Sequence, residues 1–281
     1  FSFKDIFLNG LAADGGLYVP CKIPHYSQED IKKLKKLSYQ ELAVKIVSDF
    51  CNEEFSVSEI EKLVSKSYKN FRTSEVVKIQ KAGNLHLLEL YHGPTLAFKD
   101  IAMQLIGNMY ELVLEKNKIK INIIVATSGD TGAAAISAIK DKKNMKVFVF
   151  HPENKISEIQ RKFMTTVKSK NVYNIALAGT FDDCQKIVKE MFLDENFKSS
   201  VNLSGVNSIN WARIVAQIVY YFFSFLQEWD EKEKINFSVP TGNFGDIFSG
   251  FFAKKMGLPI NKLLIATNTN NILQRVLENG L

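Results

Sequence analysis

Cysteine, histidine and proline are all scarce in this sequence, and each shortage removes a class of protein. Cys21, Cys51 and Cys184 are odd in number and far apart, which fits neither a disulfide framework nor a zinc site. The four histidines, His25, His86, His92 and His151, share no metal-ligand spacing, so no metal site is expected. With six prolines there is no Pro/Gly linker, and neither a repeat nor a low-complexity tract interrupts the chain. No apolar run approaches the roughly 20 residues that cross a bilayer. The richest, Ile214 to Leu226, is broken by Gln217 and Ser224 and reads as a buried helix. Arginine clusters are missing too. The net charge of +6 comes largely from lysines spread over helical faces, such as Lys32, Lys33, Lys35 and Lys36. Without a basic stripe interleaved with aromatics, nucleic acid is not the expected partner, and the positive balance suits an anionic small molecule. A reducing cytoplasm is the simplest home. No signal peptide is legible, but the sequence opens on Phe1 rather than Met, which leaves targeting unassigned.

What is present is a globular composition, 46% hydrophobic and 23% charged, in 281 residues, a length that suggests about two domains. Apolar spacing predicts helices over 28–50 and 56–69, then strands at Val76–Ile79 and Leu85–Leu90 around the turn residues Gly83 and Asn84. From Phe98 strand and helix alternate. Helices are predicted over 99–116, 131–140, 157–168, 182–193, 209–228, 245–256 and about 271–279. Strands are predicted at Ile121–Ala126, Val147–Phe150, Val172–Leu177, Val201–Leu203, Ile235–Val239 and Leu263–Ala266. Apolar strands alternating with helices indicate parallel sheets covered by helices, an α/β fold in which ligands sit at the carboxyl ends of strands.

Three strand-to-helix turns and one helix start are chemically unusual. Glu89 to Asp100 ends a strand, turns at Gly93-Pro94 and places Lys99 at the start of a helix. The partial positive charge there disfavours an ammonium and favours Schiff-base formation by the amine; the ordinary alternative is a surface lysine. Ala126 to Ala135 packs Thr127, Ser128, Gly129, Asp130, Thr131 and Gly132 into one loop that can wrap an anion with backbone N–H groups; the alternative is a helix capped by Ser128 or Asp130. Asp130-Thr131-Gly132 matches the aspartic-protease triplet, but its strand-to-helix setting rejects that match. Thr241, Gly242, Asn243, Phe244 and Gly245 form a candidate phosphate cradle without the Lys-Ser/Thr of a Walker loop. Finally, Asn207, Asn210 and Arg213 gather at a helix start, where two amides and a guanidinium suit a phosphate or carboxylate. Capping by Asn207 or Ser208 is the alternative.

In this order the four segments resemble the threonine synthases, within the fold type II pyridoxal-phosphate (PLP) enzymes. The runs Asp14 to Pro20, Gln160 to Thr166 and Gly179 to Gln185 agree, so the resemblance covers essentially the whole chain. It implies the longer, microbial and fungal-like branch, with an extra, mainly helical N-terminal domain. The expected division is 1–93, an α/β domain over 94–206 carrying the lysine and the substrate loop, and a second α/β domain beginning over 207–281, its sheet also joined by strands from before Lys99. By resemblance, PLP is held covalently by the catalytic Lys99, its phosphate by Thr241, Gly242, Asn243, Phe244 and Gly245, with Asp130 beside the ring. Many relatives have Asn in place of Asp130. Ser128, Gly129 and Thr131 match the loop for the substrate carboxylate, and Thr127, Thr131, Asn207 and Arg213, with Asn210 beside them, the positions that grip the substrate's own phosphate. The implied reaction turns O-phospho-L-homoserine and water into L-threonine and phosphate, in a cytoplasmic monomer or homodimer with no membrane or nucleic-acid partner. The rivals are another fold type II enzyme of serine/threonine dehydratase type and a threonine-synthase-like protein without catalysis. The hydroxyl that such enzymes place against the pyridine nitrogen comes late in the chain, so a fragment of a longer protein is expected here.

Overall fold

The computed structural model describes residues 1–10, 12, 16–206, 210–231 and 234–280. They form two compact units, one of Phe1–Tyr18 with Lys62–Ala212 and one of Val19–Glu61 with Arg213–Leu281. These units cut across the three-part division expected from sequence. The chain passes between them after Tyr18, within α4 (Val57–Tyr68) and at the start of α10 (Trp211–Glu228).

The first unit holds α1 (Phe3–Asn9), the strands β1 (Lys78–Ala82) and β2 (Leu85–Glu89), and the alternating series that follows: α5 (Lys99–Asn117), β3 (Ile121–Ala126), α6 (Asp130–Ile139), β4 (Met145–Pro152), α7 (Glu158–Thr165), β5 (Val172–Leu177), α8 (Phe181–Leu193), α9 (Glu195–Ser200) and β6 (Leu203–Gly205). Strands β3 to β6 make one parallel sheet in the order β5-β4-β3-β6. Helices α6 and α8 both lie against β3 and β4. They cover opposite faces, because successive strand residues point to opposite sides. Ile124 and Phe150 pack with Cys184 and Val188 of α8, whereas Val149 meets α6 at Gly132. The order reverses at β3, whose neighbours are reached in opposite directions, and the loop after β3 therefore stands at the switch point where such sheets bind ligands. The segment after β6 starts beside it, but residues 207–209 lie outside the described ones.

Strands β1 and β2 pair with each other in an antiparallel hairpin, with Gly83 at φ 60° in the two-residue turn. They form a two-stranded sheet of their own, whereas the sequence had placed strands from before Lys99 in the sheet of the second domain. Helix α1, which the apolar spacing did not reveal, is seven residues long and starts on a Ser2–Asp5 capping box. It is held by the Tyr110 hydroxyl, which donates to Phe7 O at 3.0 Å, and by Ser204 Oγ, which donates to Leu8 O at 2.8 Å.

In the second unit α2 (Gln28–Leu34) and α3 (Tyr39–Cys51) replace the single helix predicted over 28–50, because Ser38 and Glu41 build a capping box that starts a new helix. They join α10, the parallel pair β7 (Ile235–Pro240) and β8 (Ile260–Ala266), α11 (Gly245–Lys255) and α12 (Ile272–Asn279). Tyr39 packs its ring against Phe223, and Tyr26 against Phe222, at 5.3 and 5.5 Å. Helix α10 is buried on every side from Trp211 to Leu226, as the apolar run predicted. Among the described residues no helix is long and apolar enough to cross a membrane. Cys21 is exposed; Cys51 and Cys184 are buried, and burial pushes the Cys51 thiol up to about 12.

Helices α5 and α6 approach each other through Gly107, where an added Cβ would stand 2.7 Å from the Ala138 carbonyl oxygen. That oxygen is backbone and cannot swing aside. Gly107→Ala is expected to destabilise the protein by about 1–3 kcal/mol, despite the roughly 1 kcal/mol by which alanine favours a helix over glycine. A lower denaturant midpoint with an unchanged slope would show this; a raised midpoint would refute the close approach.

Candidate functional site

Strand β2 ends at Glu89, and the chain turns through Gly93-Pro94-Thr95 into α5, whose first residue is Lys99. His92 Nε2 lies 2.9 Å from Glu89 Oε2, and bonds from Tyr91 and His92 hold the Glu89 carboxyl below its ordinary value. The turn itself is organised by Asp100, which is fully buried. Its Oδ2 accepts from Thr95 N at 2.7 Å and its Oδ1 from Thr95 Oγ1 at 2.8 Å. Burial pushes this carboxyl up, while the bonds from Thr95 and the Ala97 backbone pull the other way. A Cβ on Gly93 would fall 2.4 Å from Asp100 Cβ, so only glycine fits there. Leu96 holds φ 61°, a left-handed conformation that costs a leucine strain and that the surrounding bonds maintain. The result is a half-buried Lys99 whose Nζ stands 4.5 Å from the Phe98 ring centroid, at the N-terminus of α5.

The loop after β3 stands at the same end of this unit. Gln104 bonds Ser137 at 3.3 Å and Gly107 packs on Ala138, so α5 and α6 run side by side in one direction. Their first turns are close enough for the charge of Asp130 to act on Asp100. Gly129, not Ser128 or Asp130, occupies the N-cap of α6, and no side chain caps from that position. Thr127 supplies the oxygen instead: its Oγ1 accepts from Gly129 N and from Gly132 N, both at 2.9 Å. Thr127 is buried and shapes the loop from behind. Ser128 and Asp130 are exposed and Thr131 is half-buried. The first-turn N–H groups of Asp130 and Thr131 have no acceptor within the helix, which leaves them for an anion. At Gly132 a Cβ would meet Thr127 Cγ2 at 2.5 Å and Met164 Sδ at 2.7 Å, so the loop's floor is closed to any side chain.

Gln160, in the first turn of α7, is a residue the sequence reading passed over except as part of a resembling run. Its Nε2 donates to Asp130 Oδ1 at 2.6 Å. The signal that could have found it is the Ser157-x-x-Gln160 spacing of a helix start. Asn210 has partners within the first unit. Its buried carboxamide donates to Phe7 O at 3.3 Å and accepts from Ala212 N at 3.0 Å, so it is engaged in holding α1 and the start of α10. Asn207 lies outside the described residues.

The second unit carries the third turn. Thr241 is buried, donating its N–H to Ala266 O at 2.9 Å and its hydroxyl to Val239 O at 2.7 Å. These bonds leave Gly242, Asn243 and Phe244 exposed, with nothing within 4 Å of a Cβ on Gly242. Phe244 is the N-cap of α11 and caps it with no side chain. An open turn before an uncapped helix start is an anion cradle. Asp246, next in α11, accepts from Tyr220 at 2.5 Å and Tyr221 at 3.0 Å, which draws its charge onto α10.

Arg213 is 3% exposed, and its Nε and Nη1 have no hydrogen-bond partner among the described residues. Burial pushes its guanidinium down to about 10, still charged at neutral pH. Ser249 bonds Gln217 and Asp246 bonds Tyr220, so α10 and α11 run antiparallel. Arg213 is seven residues before Tyr220, about 10 Å of helix rise, and does not share the site where Asp246 docks. Within the second unit, the turn at Thr241–Gly245 and Arg213 are thus separate places for an anion.

The first unit thus carries a lysine at a helix start and a hydroxyl- and glycine-rich loop at the switch point of a parallel sheet, and the second unit carries an open turn before a helix start that suits a phosphate. The chain belongs to the pyridoxal-phosphate dependent enzyme family, whose model matches residues 72–280; a second model, threonine synthase N terminus, matches residues 1–68. Among curated relatives, the threonine synthases of Saccharomyces cerevisiae and Pseudomonas aeruginosa are 48% and 47% identical over 100% and 99% of this chain, which spans 58% and 59% of their length. A PLP-bound threonine synthase from Brucella melitensis superposes with a TM-score of 0.93 at 46% identity, covering 100% of this chain and 61% of that one. The chain therefore spans about three fifths of the length of the relatives it matches.

Asp100 generates a pH-dependent expectation. Its folded pKa is raised, so its contribution to stability is fully present below the ordinary carboxylate range and is lost as pH rises through the folded value. Thr95→Val removes a donor to the charged form and leaves a buried acceptor unpaired. Unfolding free energy at pH 7 is expected to fall by about 1–3 kcal/mol, with a smaller loss near pH 4. Equal losses at both pH values would show that the Thr95 hydroxyl does not serve the carboxylate.

Proposed function

We propose that the protein carrying this chain is a threonine synthase, converting O-phospho-L-homoserine and water to L-threonine and phosphate with PLP. The single observation that carries the substrate assignment is Arg213, a buried guanidinium without a partner among the described residues, distinct from the cradle at Thr241–Gly245. A dehydratase-like enzyme needs the cradle alone; an enzyme whose substrate is itself a phosphate ester needs both. The identities to threonine synthases support the same reading.

The residues fit the cofactor. In this reading Lys99 holds it covalently, Thr241 to Gly245 receive its phosphate, and Asp130 borders its ring. Ser128, Gly129 and Thr131 bind the substrate carboxylate through the free N–H groups of the α6 start. Arg213, with Asn207, grips the substrate phosphate as a planar fork suited to a dianion. Thr127 contributes by setting the loop's shape, and Asn210 by fixing the start of α10. The bound cofactor supplies an electron sink for charge developing on the substrate carbons. Once the substrate amine has taken its place on the cofactor, Lys99 Nζ would stand free at the helix start to move protons between those carbons, with phosphate lost from the γ carbon and water added at the β carbon. A cytoplasmic monomer or homodimer, with no nucleic-acid or membrane partner, accords with this role.

Borohydride reduction and peptide mapping are expected to find the pyridoxyl group on Lys99; an adduct on another lysine would sink the assignment. Arg213→Ala is expected to leave the cofactor spectrum nearly intact while weakening phosphohomoserine binding by about 2–4 kcal/mol, the scale for losing one partner of a buried charged pair. A plain amino acid is expected to be affected much less. Spectral titration with both ligands decides it, and equal losses for the two would move the dehydratase-like reading ahead.

A further inference from the structure

We propose that Gln160 is a positioning residue of this site: its carboxamide, seated on Gly129 and bonded to Asp130 Oδ1, sets the direction of the carboxylate that borders the cofactor. The inference rests on the reading above, which puts Asp130 beside the ring.

The orientation of the carboxamide is fixed from both ends. Ser157 Oγ donates to Gln160 Oε1 at 2.9 Å and accepts from Gln160 N at 3.3 Å. With Oε1 occupied by a donor, Nε2 is the end that faces Asp130 Oδ1, at 2.6 Å. The flipped amide would set oxygen against carboxylate and leave the Ser157 hydroxyl facing an NH2 group. Gly129 holds the other side. It sits at φ 145°, and a Cβ there would lie 2.4 Å from Gln160 Cδ and Oε1, so the carboxamide rests directly on the backbone of the loop.

Stability does not account for this arrangement. Asp130 is exposed and stands in the first turn of α6, where the helix dipole already favours a carboxylate. An exposed polar pair adds little, while the Gly129 conformation is one that other residues rarely adopt. The pair also joins residues 30 positions apart on two helices. A neutral donor has a further property: it aims the carboxylate without cancelling its charge, as a lysine or arginine would. With Oδ1 taken, Oδ2 is the oxygen left to meet a proton on the ligand. The charged group that reaches Asp130 from α5 is Asp100, and the group bonded to it from α7, Gln160, does not titrate. An aimed negative charge favours the protonated form of the cofactor group it faces.

The test is the pH midpoint of the visible band of the bound cofactor in the holo protein, compared between wild type and variants. Gln160→Met keeps the side chain's length and removes the donor. It is expected to lower the midpoint by a few tenths of a pH unit, part of the roughly one unit that removal of a whole nearby charge gives. Asp130→Asn is expected to lower it in the same direction, and the double variant is expected to match Asp130→Asn alone, because Gln160 acts through Asp130. Should Gln160→Met fail to fold, Ser157→Ala frees the carboxamide to turn and is expected to give a smaller shift of the same sign. A merely structural bond would lower the denaturation midpoint and leave the spectral one in place. The proposal is overturned if Gln160→Met (or Ser157→Ala in its stead) leaves the pH midpoint at the wild-type value, if Asp130→Asn does not move it, or if the two shifts add. A wild-type protein without a borohydride-sensitive visible band would instead sink the cofactor reading itself.

Discussion

Because the Asp100 carboxylate is buried and spends both oxygens on Thr95, the turn between β2 and α5 has one conformation, and Lys99 is delivered at the first position of α5. The arrangement of the first unit's candidate segments follows from that placement. The Gly93 contact and the left-handed Leu96 are local costs that the same carboxylate sustains. Helix α5 then carries the constraint onward, since Gly107 brings it against α6, whose first residues belong to the loop after β3. A polar interaction inside the turn and an apolar contact between helices thereby set two functional segments at one end of the sheet.

The second unit reaches a comparable result by a different route. Helix α10 is nearly all apolar, yet Gln217, Tyr220 and Tyr221 form a polar seam along the side that meets α11. The seam fixes the start of α11 and takes up the charge of Asp246, which would otherwise repel an anion at the neighbouring turn. Arg213 continues α10 beyond this seam. Its Nε and Nη1 are buried without a hydrogen-bond partner among the described residues, an arrangement that is costly for a charged group.

The parallel strands were legible in the sequence because they are buried on both faces and read as apolar runs. Ile121–Ala126 and Val172–Leu177 match the predicted bounds, and the alternation with helices located the strand-to-helix turns that hold the candidate residues. What could not be read were features set by single hydrogen bonds or by tertiary partners. The break between α2 and α3 depends on Ser38 and Glu41 within an unbroken apolar rhythm. Helices α1 and α9 are too short to show a period. The hairpin of β1 and β2 was visible as two strands, but a strand's sequence does not name the sheet it joins. Residue types singled out Lys99, the loop at Ser128 and the turn at Gly242 as candidates, and the structure puts each at or just before a helix start. They could not tell that Thr127 faces inward to accept two N–H groups, that Asn210 is engaged by Phe7, or that Gln160 lies on Gly129. Those facts concern direction, which a side chain's chemistry leaves open.

The unsatisfied guanidinium of Arg213 has a consequence outside catalysis. A folded state that buries a lone cation, and that an anion completes, has no fixed resistance to heat or denaturant; resistance becomes a property of the solution. Each tenfold rise of a bound anion above its dissociation constant adds about 1.4 kcal/mol to the free energy of unfolding. An anion that occupies this place would thus raise resistance to denaturant in proportion to the logarithm of its concentration.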